Sequence, residues 1–280
     1  MKPKAFVLTL AVLLFSSCSS NQLTEQTPEE KKAEVYYGQG TNDLVNQNYA
    51  QALINLTKAK ELNPNDAKVR NNLGMAYFFR NQPALAETEL KESIRIDKKN
   101  TDARLNLGSL YMSKNRFKEA REQFDLVAAD LTFANHYRNY YNLAVLSLKE
   151  GDRKSAFEYL DKSVAEREDY CAAHFMLGEL HSEEYRYKQA LASFRNASKG
   201  TCVSEPAPHY QQAITLLSLN RNAEAKAKFL EVQEKFSSTK FATLAGIQIK
   251  KLNNTNDQPT SRSTQTERIR DIESVETPNF

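Results

Sequence analysis

The residues best equipped for chemistry in this chain are four histidines and three cysteines. His174 and His181 stand seven residues apart, which on a helix puts both near one face. Such a pair becomes a metal site only when further Asp, His or Cys ligands converge on it, and the sequence around it shows no such spacing. Nor is there a nucleophile elbow, a phosphate-binding glycine loop or a metal motif. Carboxylates are plentiful but scattered at the spacing of solvated helix faces, as in Glu231, Glu234 and Lys235, or Lys149 and Glu150. No catalytic residue, metal ligand or cofactor site emerges. The formal net charge of +3 includes Lys2 and Lys4, and falls to about +1 if both leave with a leader. Nucleic-acid binding would need a concentrated basic patch, and none is present.

What must position these side chains is a repeat. Leu73-Gly74, Tyr77, Ala86 and Leu90 recur 34 residues on as Leu107-Gly108, Tyr111, Ala120 and Phe124. A fixed period of that length signals stacked helical hairpins. Gly74 and Ala86, like Gly108 and Ala120, are small where two helices must come close, and the Leu and Phe positions fill the space beside them. Units begin at Ala33, Ala67 and Thr101. The fourth starts late, near Tyr137: Leu143-Ala144, Ala156 and Leu160 follow Leu107-Gly108, Ala120 and Phe124 by 36 residues, the extra pair falling between Asp130 and His136. The fifth opens at Cys171 and the sixth near Pro206, and residues 238–251 carry the spacing of a final capping helix. These residues resemble the tetratricopeptide repeat. The resemblance implies an all-α, right-handed superhelical solenoid of about six hairpins, with the first helices lining a concave face. It also assigns the histidines to packing. His174 and His209 take the fourth place of their units, where the family favours a bulky aromatic, and His181 the eleventh, where Tyr77 and Tyr111 stand. His136 falls in the inserted junction with no partner legible.

The N-terminus has the layout of an export signal. A short basic start, Met1 to Lys4, precedes an apolar run of 11 residues from Ala5 to Phe15, too short to span a bilayer. Ser16-Ser17-Cys18 follows and resembles a bacterial lipobox, with Phe15 where Leu is commonest. The resemblance implies cleavage before Cys18, acyl chains on its thiol and new amino group, and, with Ser19 rather than Asp next, retention in the outer membrane facing the periplasm. The other reading is a plain secretory leader in which Cys18 is incidental. Residues 1–17 are thus expected to be the signal peptide, 18–32 a flexible tether, 33–251 the solenoid and 252–280 a disordered polar tail.

Cys171 opens the first helix of the fifth unit and Cys202 lies just past its second. Those ends are neighbours in an antiparallel hairpin, and an exported chain meets an oxidising compartment, so a Cys171–Cys202 bridge is expected, against the alternative of two buried thiols. On the face that the resemblance makes concave, Asn72, Asn106 and Asn142 repeat at the sixth place, offering donors and acceptors for a partner's backbone. Met75, Phe78, Phe79, Met112, Tyr141, Phe175 and Tyr210 fall around them as candidate anchors, with about half expected to pack between repeats instead.

Six repeats, a lipobox and the 36-residue step together resemble the PilF/PilW/Tgl family of type IV pilus lipoproteins. The residues that carry this are Asn72-Leu73-Gly74, Asp130-Leu131-Thr132-Phe133 and Tyr141 to Leu148. It implies a non-catalytic pilotin whose protein partner is the outer-membrane secretin, held to the membrane by its lipid. A periplasmic scaffold for peptidoglycan enzymes or outer-membrane protein assembly is the alternative.

Overall fold

The computed structural model describes residues 26–255. Cys18, the leader, most of the tether and the tail beyond residue 255 lie outside them. The described residues form helices only: α1 (Pro28–Val45), α2 (Tyr49–Leu62), α3 (Ala67–Phe79), α4 (Pro83–Ile96), α5 (Thr101–Ser113), α6 (Phe117–Ala128), α7 (His136–Lys149), α8 (Arg153–Glu166), α9 (Cys171–Glu183), α10 (Tyr187–Ala197), α11 (Pro206–Ser218), α12 (Asn222–Lys235) and α13 (Lys240–Thr255), with a 3₁₀ turn at Gly200–Cys202. No helix among them is long and apolar enough to cross a membrane. Each odd-numbered helix from α1 to α11 folds back on its successor, and α13 closes the array against α12.

One turn design joins the two helices of every hairpin. Its fifteenth residue holds a left-handed backbone in all six repeats: Gln47, Asn81, Asn115, Gly151, Tyr185 and Asn220, with φ between 56° and 82°. The next backbone N–H bonds back to the carbonyl five residues earlier, as from Asn48 to Asp43, Gln82 to Tyr77 and Arg116 to Tyr111. This satisfies the otherwise open carbonyls at the helix end. Asn and Gly tolerate that conformation; Gln47 and the bulky Tyr185 are the exceptions.

Within each hairpin the helices touch through the eighth and twenty-fourth places. Gly40 meets Leu56, Gly74 meets Leu90, Gly108 meets Phe124 and Gly178 meets Phe194. A Cβ on Gly108 would lie 2.5 Å from the Phe124 ring, so the ring and the glycine fit one another. The alanines at the twentieth place, from Ala52 to Ala225, are fully buried.

Two boundaries move. Residues 28–32, expected in the tether, form the first turn of α1. Thr27 explains it: its hydroxyl accepts from the Glu30 N–H at 3.1 Å and its own N–H donates to the Glu30 carboxylate at 2.8 Å, with Pro28 pre-set for the first helical position. At the other end α13 continues past residue 251 to Thr255. The inserted junction is built around Asp130. Its side chain accepts from the hydroxyls of Thr101 and Thr132, and its carbonyl oxygen from His136 Nε2 at 2.9 Å.

Candidate functional site

The first helices of the early repeats approach one another in succession, α1 to α3 to α5 to α7, which makes them the inner face of the array. The approach slackens at α9, which packs less closely on α7 and α8 than earlier helices do on their predecessors. Counted from Ala33, Ala67, Thr101, Tyr137, Cys171 and Pro206, the fifth, sixth, ninth and twelfth places supply this face.

The asparagines of the sixth place are half-buried and reach across repeat boundaries. Asn72 Nδ2 donates to the Thr41 hydroxyl at 2.9 Å, and Asn142 Nδ2 to the Ser109 hydroxyl at 3.1 Å. Thr41 and Ser109 hold the ninth place of the preceding repeat. In repeat two that place is Met75, which offers no such acceptor, and Asn106 Nδ2 turns instead to Asn71 Oδ1 at 2.9 Å. Asn71 in turn donates to Asn72 Oδ1 at 3.1 Å. The row therefore ties repeats together through its donors. Among the described residues no hydrogen bond engages the side-chain Oδ1 of Asn106 or of Asn142. Thr41, Asn71 and Ser109 were absent from the expected set; their signal was polarity at inner places where other repeats carry apolar residues.

The aromatic candidates divide. Phe175 and Tyr210 are only 1% and 4% exposed, against Phe194 and against Phe229 and Phe241, and cannot meet a partner. Both were expected in the groove. The C-terminal repeats use that place to fill the core shared by α9, α10, α11, α12 and α13. Phe78 and Met112 are half-buried and pack on the core around Phe124. Tyr141 packs on the next core cluster, its ring edge-on to Tyr170. Burial pushes the Tyr170 hydroxyl up to about 12 and Tyr141 higher still. Met75 stays half-buried on the face, and Phe79, 48% exposed, stacks on Tyr49 of α2 with centroids 4.7 Å apart.

A tetratricopeptide-repeat model matches residues 80–139, and a second matches 137–170. The chain carries tetratricopeptide repeats. The type IV pilus assembly protein PilF of Pseudomonas aeruginosa is 25% identical over 189 residues, covering 66% of this chain and 75% of that one. The solved structure of P. aeruginosa PilF superposes with a TM-score of 0.65 at 19% identity, over 79% of this chain and 100% of that one. PilW, solved as a widely conserved type IV pilus biogenesis factor, gives 0.65 at 18% identity over 76% and 97%. Mouse anaphase-promoting complex subunit 7 is 27% identical over 229 residues, but this chain spans only 40% of its length. The relation to PilF is thus modest in identity, and PilF and PilW share the fold along most of the solenoid.

In this tetratricopeptide frame the histidines take separate roles. His136, His174 and His209 stand near the starts of three first helices, and each Nε2 bonds a carbonyl six residues back: Asp130, Glu168 and Val203, at 2.9, 2.8 and 3.1 Å. A carbonyl accepts only, so Nε2 carries the proton and Nδ1 is an acceptor. At His209, Lys228 donates to that Nδ1 at 3.2 Å; burial and this ammonium both hold the imidazole below its ordinary pKa. His181 lies against Phe157, centroids 5.1 Å apart, and His174 is not its partner. No group of three His, Cys, Asp or Glu among the described residues is placed to hold a metal ion. Cys171 and Cys202 are joined as a disulfide, Cα atoms 6.2 Å apart, clasping the start of α9 to the turn after α10.

Proposed function

We propose that this is a non-catalytic lipoprotein of the outer membrane, facing the periplasm, that holds a segment of a partner protein on its inner face and assists localisation and assembly of the type IV pilus secretin. The observation that supports partner binding most is the inner row. Asn106 and Asn142 keep carbonyl oxygens to accept from a bound backbone, with Met75, Met112 and Phe79 nearby to take apolar side chains. The likeness to PilF favours the pilus setting. The Ser16-Ser17-Cys18 site after an apolar run favours lipid anchoring, since each buried acyl CH₂ adds about 0.8 kcal/mol and two or three chains hold stably.

Deleting the gene in its own cell should lower the amount of secretin multimer in the outer membrane. An unchanged secretin, with cell-wall enzymes co-purifying instead, would assign the protein to scaffolding. The Cys18→Ser protein should move to the soluble periplasmic fraction or persist as uncleaved precursor; full recovery in the outer-membrane fraction would reject lipidation.

Asn106→Ala removes both a tie to Asn71 and a candidate acceptor. It should weaken binding of the secretin's periplasmic portion by about 0.5–1.5 kcal/mol, the net value of one hydrogen bond. Asn71→Ala deletes the same tie, together with its own bond to Asn72 Oδ1, and spares the acceptor. If both variants melt lower alike and affinity per folded molecule is unchanged in each, the row is structural and the groove loses its support. Phe78→Ala and Tyr141→Ala are less clean probes, because both rings also pack on core clusters.

A further inference from the structure

One position on the inner face breaks its pattern. The fifth, sixth, ninth and twelfth places of all six repeats carry a single charged residue, Glu179, at the ninth place of repeat five. It is half-buried on α9, where the inner helices stand farther apart. In repeats one and three the ninth-place hydroxyl is closed by the sixth-place amide of the next repeat, Asn72 on Thr41 and Asn142 on Ser109. The same register assigns Gln211 to Glu179, yet no hydrogen bond joins them, and among the described residues no ion pair reaches the Glu179 carboxylate.

Its surroundings disfavour the charged carboxylate. Tyr141 of α7 lies within its electrostatic reach. Glu183, one turn along α9, repels it, and Arg153 of α8 pairs with Glu183 at 2.7 Å and also approaches Glu184. Burial, with Glu183, pushes the Glu179 carboxyl up to about 7. A carboxylate taken partly out of water without a partner destabilises the fold; at a surface that binds another molecule, it becomes a favourable contact once a cation arrives.

We propose that Glu179 is the subsite for a cationic side chain: the segment that lies along the inner face carries one Lys or Arg, inserted beside Glu179, with uncharged residues on either side. This rests on the inner face being a peptide groove. Charge complementarity commits the occupant, because the other fifth, sixth, ninth and twelfth places hold amides, hydroxyls and apolar groups, and the thirteenth, where Phe79 stands, adds one cation, Lys149, against one further acid, Glu183.

The test uses the purified full chain in detergent and three mixtures of synthetic peptides, about twelve residues long. Their flanks are identical and degenerate, drawn from Leu, Phe, Asn and Ser; the central residue is Lys, norleucine or Glu. The Lys mixture should be retained about tenfold better than the norleucine mixture, and the Glu mixture least. Glu179→Gln should bring the Lys mixture down to the norleucine level without lowering the latter, and Glu179→Lys should reverse the order of Lys and Glu. A melting curve gives an independent readout. An acid whose pKa rises on folding keeps its proton longer in the folded chain, so stability is lost as pH rises from about 4.5 through 7. Glu179→Gln should therefore melt higher than the parent at pH 8 and alike at pH 4.5, whereas Glu183→Gln, which breaks the Arg153 pair, should not melt higher at pH 8. A Lys preference that survives Glu179→Gln, or equal retention of all three mixtures, overturns this subsite and leaves the groove standing. Retention of none overturns both.

Discussion

Replacing Cys171 and Cys202 together by serine is expected to cost the folded protein about 3–4 kcal/mol, the chain-entropy value for a loop of 31 residues. The bridge ties the first turn of α9 to the 3₁₀ turn that follows α10, so it restricts the whole fifth hairpin in the unfolded chain. Spread over one cooperative unit of this size, the loss would lower the melting temperature by about 6–15 °C. A repeat array is not one unit, since each repeat contacts only its neighbours. The destabilisation should instead concentrate in repeats five and six, whose shared core joins Phe175, Phe194, Tyr210 and Phe229. Hydrogen exchange read by peptide should show faster exchange from about residue 171 to 235 in the double variant or after reduction, with repeats two and three nearly unchanged. Equal exchange and equal melting with and without reductant would show that the bridge restrains nothing the fold does not already hold. Because the Glu179 subsite lies on the same helix, peptide retention should also weaken on reduction.

How much of this was legible beforehand depended on whether the signal was periodic. The small and large residues of the eighth, twentieth and twenty-fourth places repeat at a fixed spacing because two helices can approach only there, so the hairpins and the two-residue insertion could be read directly. The start of α1 was equally readable in Thr27-Pro28-Glu29-Glu30, a capping box with a proline at the first helical position, but the polar composition around it drew the boundary too late. The inner face was read less well. Phe175 and Tyr210 share the fifth place with Tyr141, yet they are sealed by the helices packed on them, and only the shared packing of α9 to α13 decides that. The asparagine row was visible, but its direction was not. Which acceptor an amide finds depends on the ninth place of the preceding repeat, and Met75 in that place sends Asn106 to Asn71. Glu179 was passed over as one carboxylate among many. Its burial and lack of a partner are facts of three dimensions.

The contact between Gly108 and Phe124 offers the sharpest test of why the hairpins close as they do. Phe124 is fully buried in the middle of the array, packed among residues of repeats two, three and four. Phe124→Ala should cost about 3–5 kcal/mol, the transfer free energy of the ring plus the cavity it leaves. Gly108→Ala acts from the other side of the same contact. Its new Cβ would fall 2.5 Å from Cε1 and 2.7 Å from Cδ1 of Phe124, and a ring held in a packed core cannot withdraw like the end of a flexible chain. Overpacking of this kind costs about 1–3 kcal/mol, partly offset by the better helix propensity of alanine, about 1 kcal/mol. The decisive comparison is the double variant. With the ring gone, the Cβ enters the vacated space and the overpacking penalty disappears, so Gly108→Ala should turn neutral or stabilising on the Phe124→Ala background. The two changes should therefore couple by about 1–3 kcal/mol rather than add. Denaturant unfolding of the parent, both singles and the double would measure this, with equal slopes confirming a common unfolded state. Strict additivity would mean that the glycine is dispensable to the close approach of α5 and α6, and that the recurrence of a small residue at the eighth place has some other cause.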